Sequence, residues 1–299
     1  MNSDRLGIDL GGTKIEGVRI DAAGVILHRH RISTEQEGGY EHILSRIAEV
    51  ISTIEDRPET LPLGIGTPGS LSARTGTLKN SNTLCLNGKP IVEDLEALLR
   101  RPIILENDAN CFALAEARLG AGRDAQVLFG VILGTGVGGG IIIDGKIWRG
   151  RHHLAGEWGH HRISAEGPLC YCGSRGCIES ILSGPAMSAS YQAATGIHAS
   201  AEKIVESAVA GNNAASDILS QWIENFSRAL ANIINILDPD AIVLGGGLSN
   251  IDEVYQRGPL TILPHIFNDE LRTPILQHQL GDSAGVLGAA LLAKPTTNG

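Results

Sequence analysis

Apolar positions along this chain follow two different spacings. Two stretches begin with an apolar β-type run, break at glycines and then resume: LGIDLGGTKIEGVRID at 6–21 and FGVILGTGVGGGIIID at 129–144. Both end in Ile-Asp, and the span from Gly11 to Asp21 equals that from Gly134 to Asp144. Each stretch predicts strand, tight glycine turn, strand. A duplicated architecture follows, with one hairpin opening each half. After the first hairpin, YEHILSRIAEVISTI (40–54) carries apolar residues at helical spacing, and LPLGIGTPGS (61–70) reads as a strand entering a loop. PIILEN (102–107) is a short strand, and DANCFALAEARLG (108–120) is a helix closed by Gly120. In the second half, 214–237 is a long amphipathic helix ended by Asp238-Pro239. AIVLGGG (241–247) is a strand into a glycine turn, and SAGVLGAALLA (283–293) is a closing helix. The elements sum to two α/β lobes facing one cleft. Residues 1–119 plus 283–299 form the smaller N-terminal lobe, and 120–282 form the larger one.

Composition narrows the class. The chain has 299 residues, 42% hydrophobic and 19% charged, as in ordinary globular proteins. A formal net charge of −9 argues against a broad nucleic-acid footprint. Asp4, Arg5 and Asp9 interrupt the N-terminus, so no signal peptide is expected. No apolar run approaches the length of a membrane span. Three of the five cysteines are clustered, which fits thiolate ligands in a cytoplasmic protein better than a secreted disulfide framework.

GTGVGGG (134–140) matches G-x-G-x-x-G, but a dinucleotide fingerprint needs a helix straight after the glycines. Here Ile141-Ile142-Ile143 and Asp144-Gly145 follow, a strand and a turn, which excludes the NAD reading. DLGGTK (9–14) lacks the Walker spacing. Two glycine hairpins can still hold phosphates through converging backbone N–H groups. Gly11, Gly12, Gly134 and Gly136 would supply the turns, with Lys14 and the hydroxyls of Thr13 and Thr135 beside them. Asp9 interrupts an apolar strand where the second copy has Ile132. A lone carboxylate beside phosphates needs a Mg²⁺ ion between them. The plain alternative is two ordinary hairpin turns, one of them capped by Asp9.

Asn107 and Asp108 lie where a strand gives way to a helix, the place where ligands gather in open α/β sheets. Asp108 reads either as an N-cap or as a base that takes a proton from a hydroxyl during phosphoryl transfer. Cys170, Cys172 and Cys177 fall within eight residues, downstream of His160 and His161. Three thiolates and one imidazole suit a closed tetrahedral Zn²⁺ site, which leaves no position for reactive water and excludes a zinc hydrolase. Spacing alone leaves both histidines open.

DLGGTK, GTGVGGG, ENDAN, GEWGH, CxCGxxGCxE and VLGGG, in this order across almost the whole chain, resemble a bacterial sugar kinase of the ROK family (repressors, open reading frames, kinases). The resemblance implies an actin-like, ribonuclease-H-like ATPase fold with ATP and a hexose in the cleft. It makes Asp108 the catalytic base and gives the zinc motif as His160, Cys170, Cys172 and Cys177. It makes Asn107, Asp108, Glu157, His160 and Glu179 sugar-binding positions, with Gly69 and Asn82 as further contacts. Gly245, Gly246 and Gly247 would pack the adenosine. LKNSNTLCLNGKP and AGEWGH look closest to the fructokinase and mannokinase branch. NDANCFAL and ILGTGVGGG also occur in the N-acetylglucosamine kinase branch. The expected reaction is ATP-dependent phosphorylation of fructose at O6, with mannose, glucose or N-acetylglucosamine as alternatives. The family also contains transcriptional repressors with a helix-turn-helix head, but only eight residues precede Asp9 here. It is usually dimeric or tetrameric, and a homodimer is the expected assembly.

Overall fold

The computed structural model describes residues 4–56 and 60–293. The ends of the expected small lobe, 1–3 and 294–299, lie outside the described residues. In chain order the strands are β1 (Arg5–Leu10), β2 (Lys14–Ile20), β3 (Ile26–Ser33), β4 (Leu63–Thr67), β5 (Ser70–Leu71), β6 (Leu78–Lys79), β7 (Ile103–Asn107), β8 (Val127–Leu133), β9 (Val137–Ile143), β10 (Lys146–Ile147), β11 (Ala241–Gly245) and β12 (Ile275–Gln277). The helices are α1 (Tyr40–Glu55), α2 (Ile91–Leu99), α3 (Asp108–Leu119), α4 (Glu179–Leu182), α5 (Gly184–Thr195), α6 (Ala201–Val209), α7 (Asn213–Leu237), α8 (Asp252–Gln256), α9 (Gly258–Ile262) and α10 (Ala284–Leu292). Among the described residues no helix is long and apolar enough to cross a membrane.

Two compact units result: Met1–Leu119 with Ile147–Ala155 and Leu280–Gly299, and Gly120–Lys146 with Gly156–Gln279. Each is built on a five-stranded sheet, ordered β3-β2-β1-β4-β7 in the first and β10-β9-β8-β11-β12 in the second. Counting strands within each sheet, both orders are 3-2-1-4-5. In both, the first two strands form an antiparallel hairpin, and the first pairs in parallel with the fourth. The duplication read from the two glycine hairpins therefore extends through both sheets.

In the first unit, α1 and α10 cover opposite faces of the sheet. A Cβ at Gly17 would meet Val50 and Ile54 of α1, whereas one at Gly64 would meet the Ala289 carbonyl of α10 at 1.9 Å. The small residues of AGVLGAALL thus let α10 lie directly on β4. Leu6, Ile8, Ile15, Ile43, Ile47 and Ile65 belong to this core. The second core forms around α7, whose Leu219, Trp222, Ile223, Phe226 and Leu230 pack with Phe129, Val131 and Leu244. Asn212 caps α7 by accepting the Ala215 N–H at 3.0 Å, and Asp238 ends it in the left-handed region at φ 46°.

Candidate functional site: two glycine turns, a buried carboxylate and a cysteine knot

In the first unit, Gly11 N–H donates to the Lys14 carbonyl at 3.0 Å and closes the turn. Thr34 braces it, its hydroxyl donating to the Gly11 carbonyl at 2.6 Å. Gly12 lies beside the buried Thr83, and Thr13 and Lys14 are exposed. Asp9 pairs across the hairpin with Glu16, which is buried and held by Arg29 at 2.6 Å and by Arg31. Burial, then the charges of Asp108 and Glu16, raise the Asp9 carboxyl to about 7, against the lowering effect of Lys14 and Arg31. Burial likewise raises Asp108, opposed by hydrogen bonds from the α3 backbone and from Asn107. Two carboxyls raised in this way, with Asp108 acting on Asp9, leave negative charge crowded near the ends of β1 and β7.

Asn107, not Asp108, does most of the capping of α3. Its Oδ1 accepts the N–H groups of Ala109 at 3.0 Å and Asn110 at 3.4 Å. Its amide donates to the Gly69 carbonyl at 3.0 Å. Gly69, at φ 89°, has no room for a side chain against Lys79 and Ser81. Asp108 Oδ1 accepts the Ala109 N–H at 2.8 Å, and its carboxyl is further held by its own backbone N–H and by the Asn107 side chain. These bonds orient the carboxyl at the start of α3. Asn82 is exposed on the loop after β6.

In the second unit, Gly134 and Thr135 of the second turn line a groove of about 440 Å³ with Gly247, Asn250, Glu202 and Glu206. Gly245 ends β11, and Gly246 adopts φ 81°, against the Leu133 carbonyl. A groove of this volume is within the range of small-molecule sites. Glu157 is exposed at the start of the 3₁₀ turn Trp158–His160. Trp158 fixes that turn on β9, its indole N–H donating to the Gly138 carbonyl at 3.0 Å.

The ligand atoms of His160, Cys170, Cys172 and Cys177 all lie within 4.8 Å of one another. His160 Nδ1 is 3.6 Å from Cys170 Sγ, and Cys172 Sγ is 3.6 Å from Cys177 Sγ. Tetrahedral zinc with bonds of about 2.0–2.3 Å has ligand–ligand edges of roughly 3.5–3.8 Å, so the cluster fits that ion. His161 is exposed and outside the cluster. Gly173 and Gly176 take φ 87° and 69°, and a Cβ on Gly176 would lie 1.8 Å from the Ser164 carbonyl. The Nε2 of His160, the nitrogen turned from the sulfurs, meets the Tyr171 hydroxyl at 3.0 Å. Glu179 opens α4, two residues past Cys177, and its Oε2 accepts the Val137 N–H at 3.0 Å.

Sequence reasoning missed several of these groups. Glu106 is buried beneath Asn107, accepts the Asn110 amide at 3.0 Å and is paired with Arg149. Glu202 and Glu206 of the groove lie on α6, whose start is signalled by Ser200, an N-cap that accepts the Lys203 N–H. Tyr171, the only residue of the Cys-x-Cys loop between its cysteines, reads as filler until its hydroxyl is seen against His160.

Comparison with known proteins agrees with this geometry. N-acetyl-D-glucosamine kinase from Haemophilus influenzae is 36% identical over 298 residues, covering 96% of this chain and 98% of that protein. The ROK hexokinase from Thermus thermophilus superposes with a TM-score of 0.86 at 33% identity, over 97% of each chain. A ROK glucokinase from Streptomyces griseus, solved in complex with glucose and AMPPNP, gives 0.81 at 31% identity, over 97% of this chain and 99% of that one. The sequence profile of the ROK family matches residues 5–296, and the chain belongs to that family and has its α/β sugar-kinase fold.

Proposed function

We propose that the protein transfers the γ-phosphoryl group of ATP to a hydroxyl of an N-acetylated hexosamine, with N-acetylglucosamine as the preferred acceptor and O6 as the attacking oxygen. The observation that carries the kinase reading is Asp108. It is a carboxyl raised by burial and oriented at the strand-to-helix junction by the Ala109 N–H on its Oδ1. It takes the hydroxyl proton as the sugar oxygen bonds to phosphorus and the bond to ADP breaks. Asn107, Gly69, Asn82, Glu157, His160 and Glu179 recognise the sugar's hydroxyls. Such a site discriminates because a wrong sugar leaves buried polar groups unpaired. Gly11–Lys14 and Gly134–Gly136 meet the phosphates, and the groove at Gly247 takes the adenosine. Asp9 would hold a Mg²⁺ ion, which would supply neutralisation of phosphate charge, and His160, Cys170, Cys172 and Cys177 would hold a structural zinc.

The choice of sugar departs from the fructose expected from LKNSNTLCLNGKP and AGEWGH. The N-acetylglucosamine kinase of Haemophilus influenzae aligns with nearly this entire chain, and a relative of that name supports the acetamido sugar. Fructose is the second reading, carried by those sequence stretches. Rates of ADP formation across N-acetylglucosamine, glucose, mannose and fructose test both. The highest kcat/KM is expected for N-acetylglucosamine; a fructose value tenfold higher would reverse the order, and no turnover with any of them would refute the kinase.

A further inference from the structure

The second glycine turn carries no acidic or basic residue of its own. It spans Gly134–Gly136, enclosed by the pair Leu133 and Val137. Two contacts from the segment after the cysteine knot hold it. On one side the Gly184 N–H donates to the Gly134 carbonyl at 2.8 Å. On the other, Glu179 Oε2 accepts the Val137 N–H at 3.0 Å. The carboxylate lies so close that a Cβ built on Gly136 would come within 2.8 Å of Oε2. Gly136 has no left-handed backbone, unlike Gly246 or Gly176. Its lack of a side chain therefore serves to admit the Glu179 carboxylate, not to permit an unusual conformation.

We infer that Glu179 is a positioning residue for the nucleotide: it fixes the second glycine turn so that its remaining N–H groups converge on phosphate. This rests on the reading of Gly134–Gly136 as a nucleotide turn, which Gly134 and Thr135 enter through the groove they line. It is separate from any sugar contact, because the tie to Val137 uses only one carboxylate oxygen. A hydrogen bond to a charged acceptor is strong enough to hold a short turn, and losing it leaves the Val137 N–H without its partner. Glu179 also lies two residues from Cys177, so the same short segment spans the knot and the turn.

The test is calorimetric titration of AMP-PNP with Mg²⁺ in the absence of sugar. Glu179→Ala should weaken nucleotide binding about tenfold. Glu179→Gln, which keeps an acceptor oxygen, should stay within about twofold of wild type. Gly136→Ala should weaken binding like Glu179→Ala, because the new Cβ displaces the carboxylate. In the double variant the two losses should not multiply, because they remove one interaction. Should Glu179→Ala fail to fold, Gly136→Ala and Glu179→Gln carry the comparison. Amide hydrogen exchange at Val137 should accelerate in Glu179→Ala and in Gly136→Ala. Wild-type nucleotide affinity in Glu179→Ala, with only the sugar KM raised, would overturn the inference, as would fully multiplying losses. A wild-type protein that binds no nucleotide would instead refute the turn's assignment, and Val137 exchange would still decide whether Glu179 holds it.

Discussion

The hairpins β1–β2 and β8–β9 occupy equivalent places in their sheets, yet they close differently. Leu10 pairs with Ile15 across the four residues Gly11–Lys14, and Leu133 pairs with Val137 across the three residues Gly134–Gly136. Aligned on their glycines, Ile15 corresponds to Gly138, so the second hairpin is slipped by one residue. A slip of one residue exchanges the faces of a strand. Burial follows: β2 is buried at every position after Lys14, whereas β9 largely alternates. The charge is placed differently too. The first turn has its own Asp9 and Lys14, with Glu16 and two arginines behind them. The second has Ile132 in place of Asp9 and borrows a carboxylate from Glu179, 42 residues downstream. One backbone design thus occurs twice with its charge placed differently. In the proposed reading the two turns divide the work: one manages charge, and the other offers backbone donors held by a distant side chain.

The largest effect should come from the charged half. Asp108→Asn should lower kcat by about 10²–10⁴-fold, while calorimetry finds sugar binding within about threefold. Because burial raises the Asp108 carboxyl, the acidic limb of the wild-type kcat/KM profile should lie above the usual carboxylate range, with activity rising as pH rises through it. The residual activity of Asp108→Asn should lack that limb.

The next effect belongs to the knot in the second unit. Chelation, or Cys177→Ser, should lower Tm by about 5–10 °C and release one zinc per chain by metal analysis. Cys85→Ser, outside the cluster, should leave zinc content unchanged. Equal metal loss in both variants would contradict the ligand set.

A smaller effect separates the two turns by stability. Asp9 is raised from 3.8 to about 7 in the fold. Its folded form therefore holds a proton more tightly than the unfolded chain does. The associated stability is present below about pH 4 and is lost as pH rises to about 7. Metal-free Asp9→Asn should melt a few degrees higher than wild type at pH 8 and no higher at pH 4. The smallest effect is expected at the second turn's one side-chain hydroxyl. Thr135→Ala should change the KM for ATP by less than about threefold, because backbone donors do most of that turn's binding.

Both hairpins, α1, α3, α7 and α10 were legible because their apolar periods are long and their ends are marked by glycine, Asp-Pro or a strand-to-helix break. β3 was not. Its sequence ILHRHRIS has polar residues on both faces and lies at the sheet edge, so hydropathy carries no signal there. Arg29 and Arg31 belong in that strand because they neutralise buried Glu16, a partner visible only after pairing. The glycine run 138–140 was misleading in part. A Cβ at Gly139 would strike Trp158 and the Gly156 carbonyl at 2.7 and 2.8 Å, so this glycine makes room for GEWGH and not for phosphate. The stretch LKNSNTLCLNGKP suggested a fructokinase, but part of it builds its own loop. Asn87 accepts the Ser81 N–H at 2.9 Å and donates to the Ser81 carbonyl at 2.8 Å. Residues that shape a loop report poorly on the sugar it meets. The histidine choice was legible only through family resemblance, because His160 and His161 are equivalent in spacing until the 3₁₀ turn points one of them at the sulfurs.

The division of work between the turns is tested most directly by titrating AMP-PNP into wild type and Asp9→Asn, each with and without Mg²⁺. The account predicts that Mg²⁺ tightens wild-type binding and that Asp9→Asn loses this gain while keeping its Mg²⁺-free affinity. An undiminished Mg²⁺ gain in Asp9→Asn would contradict it.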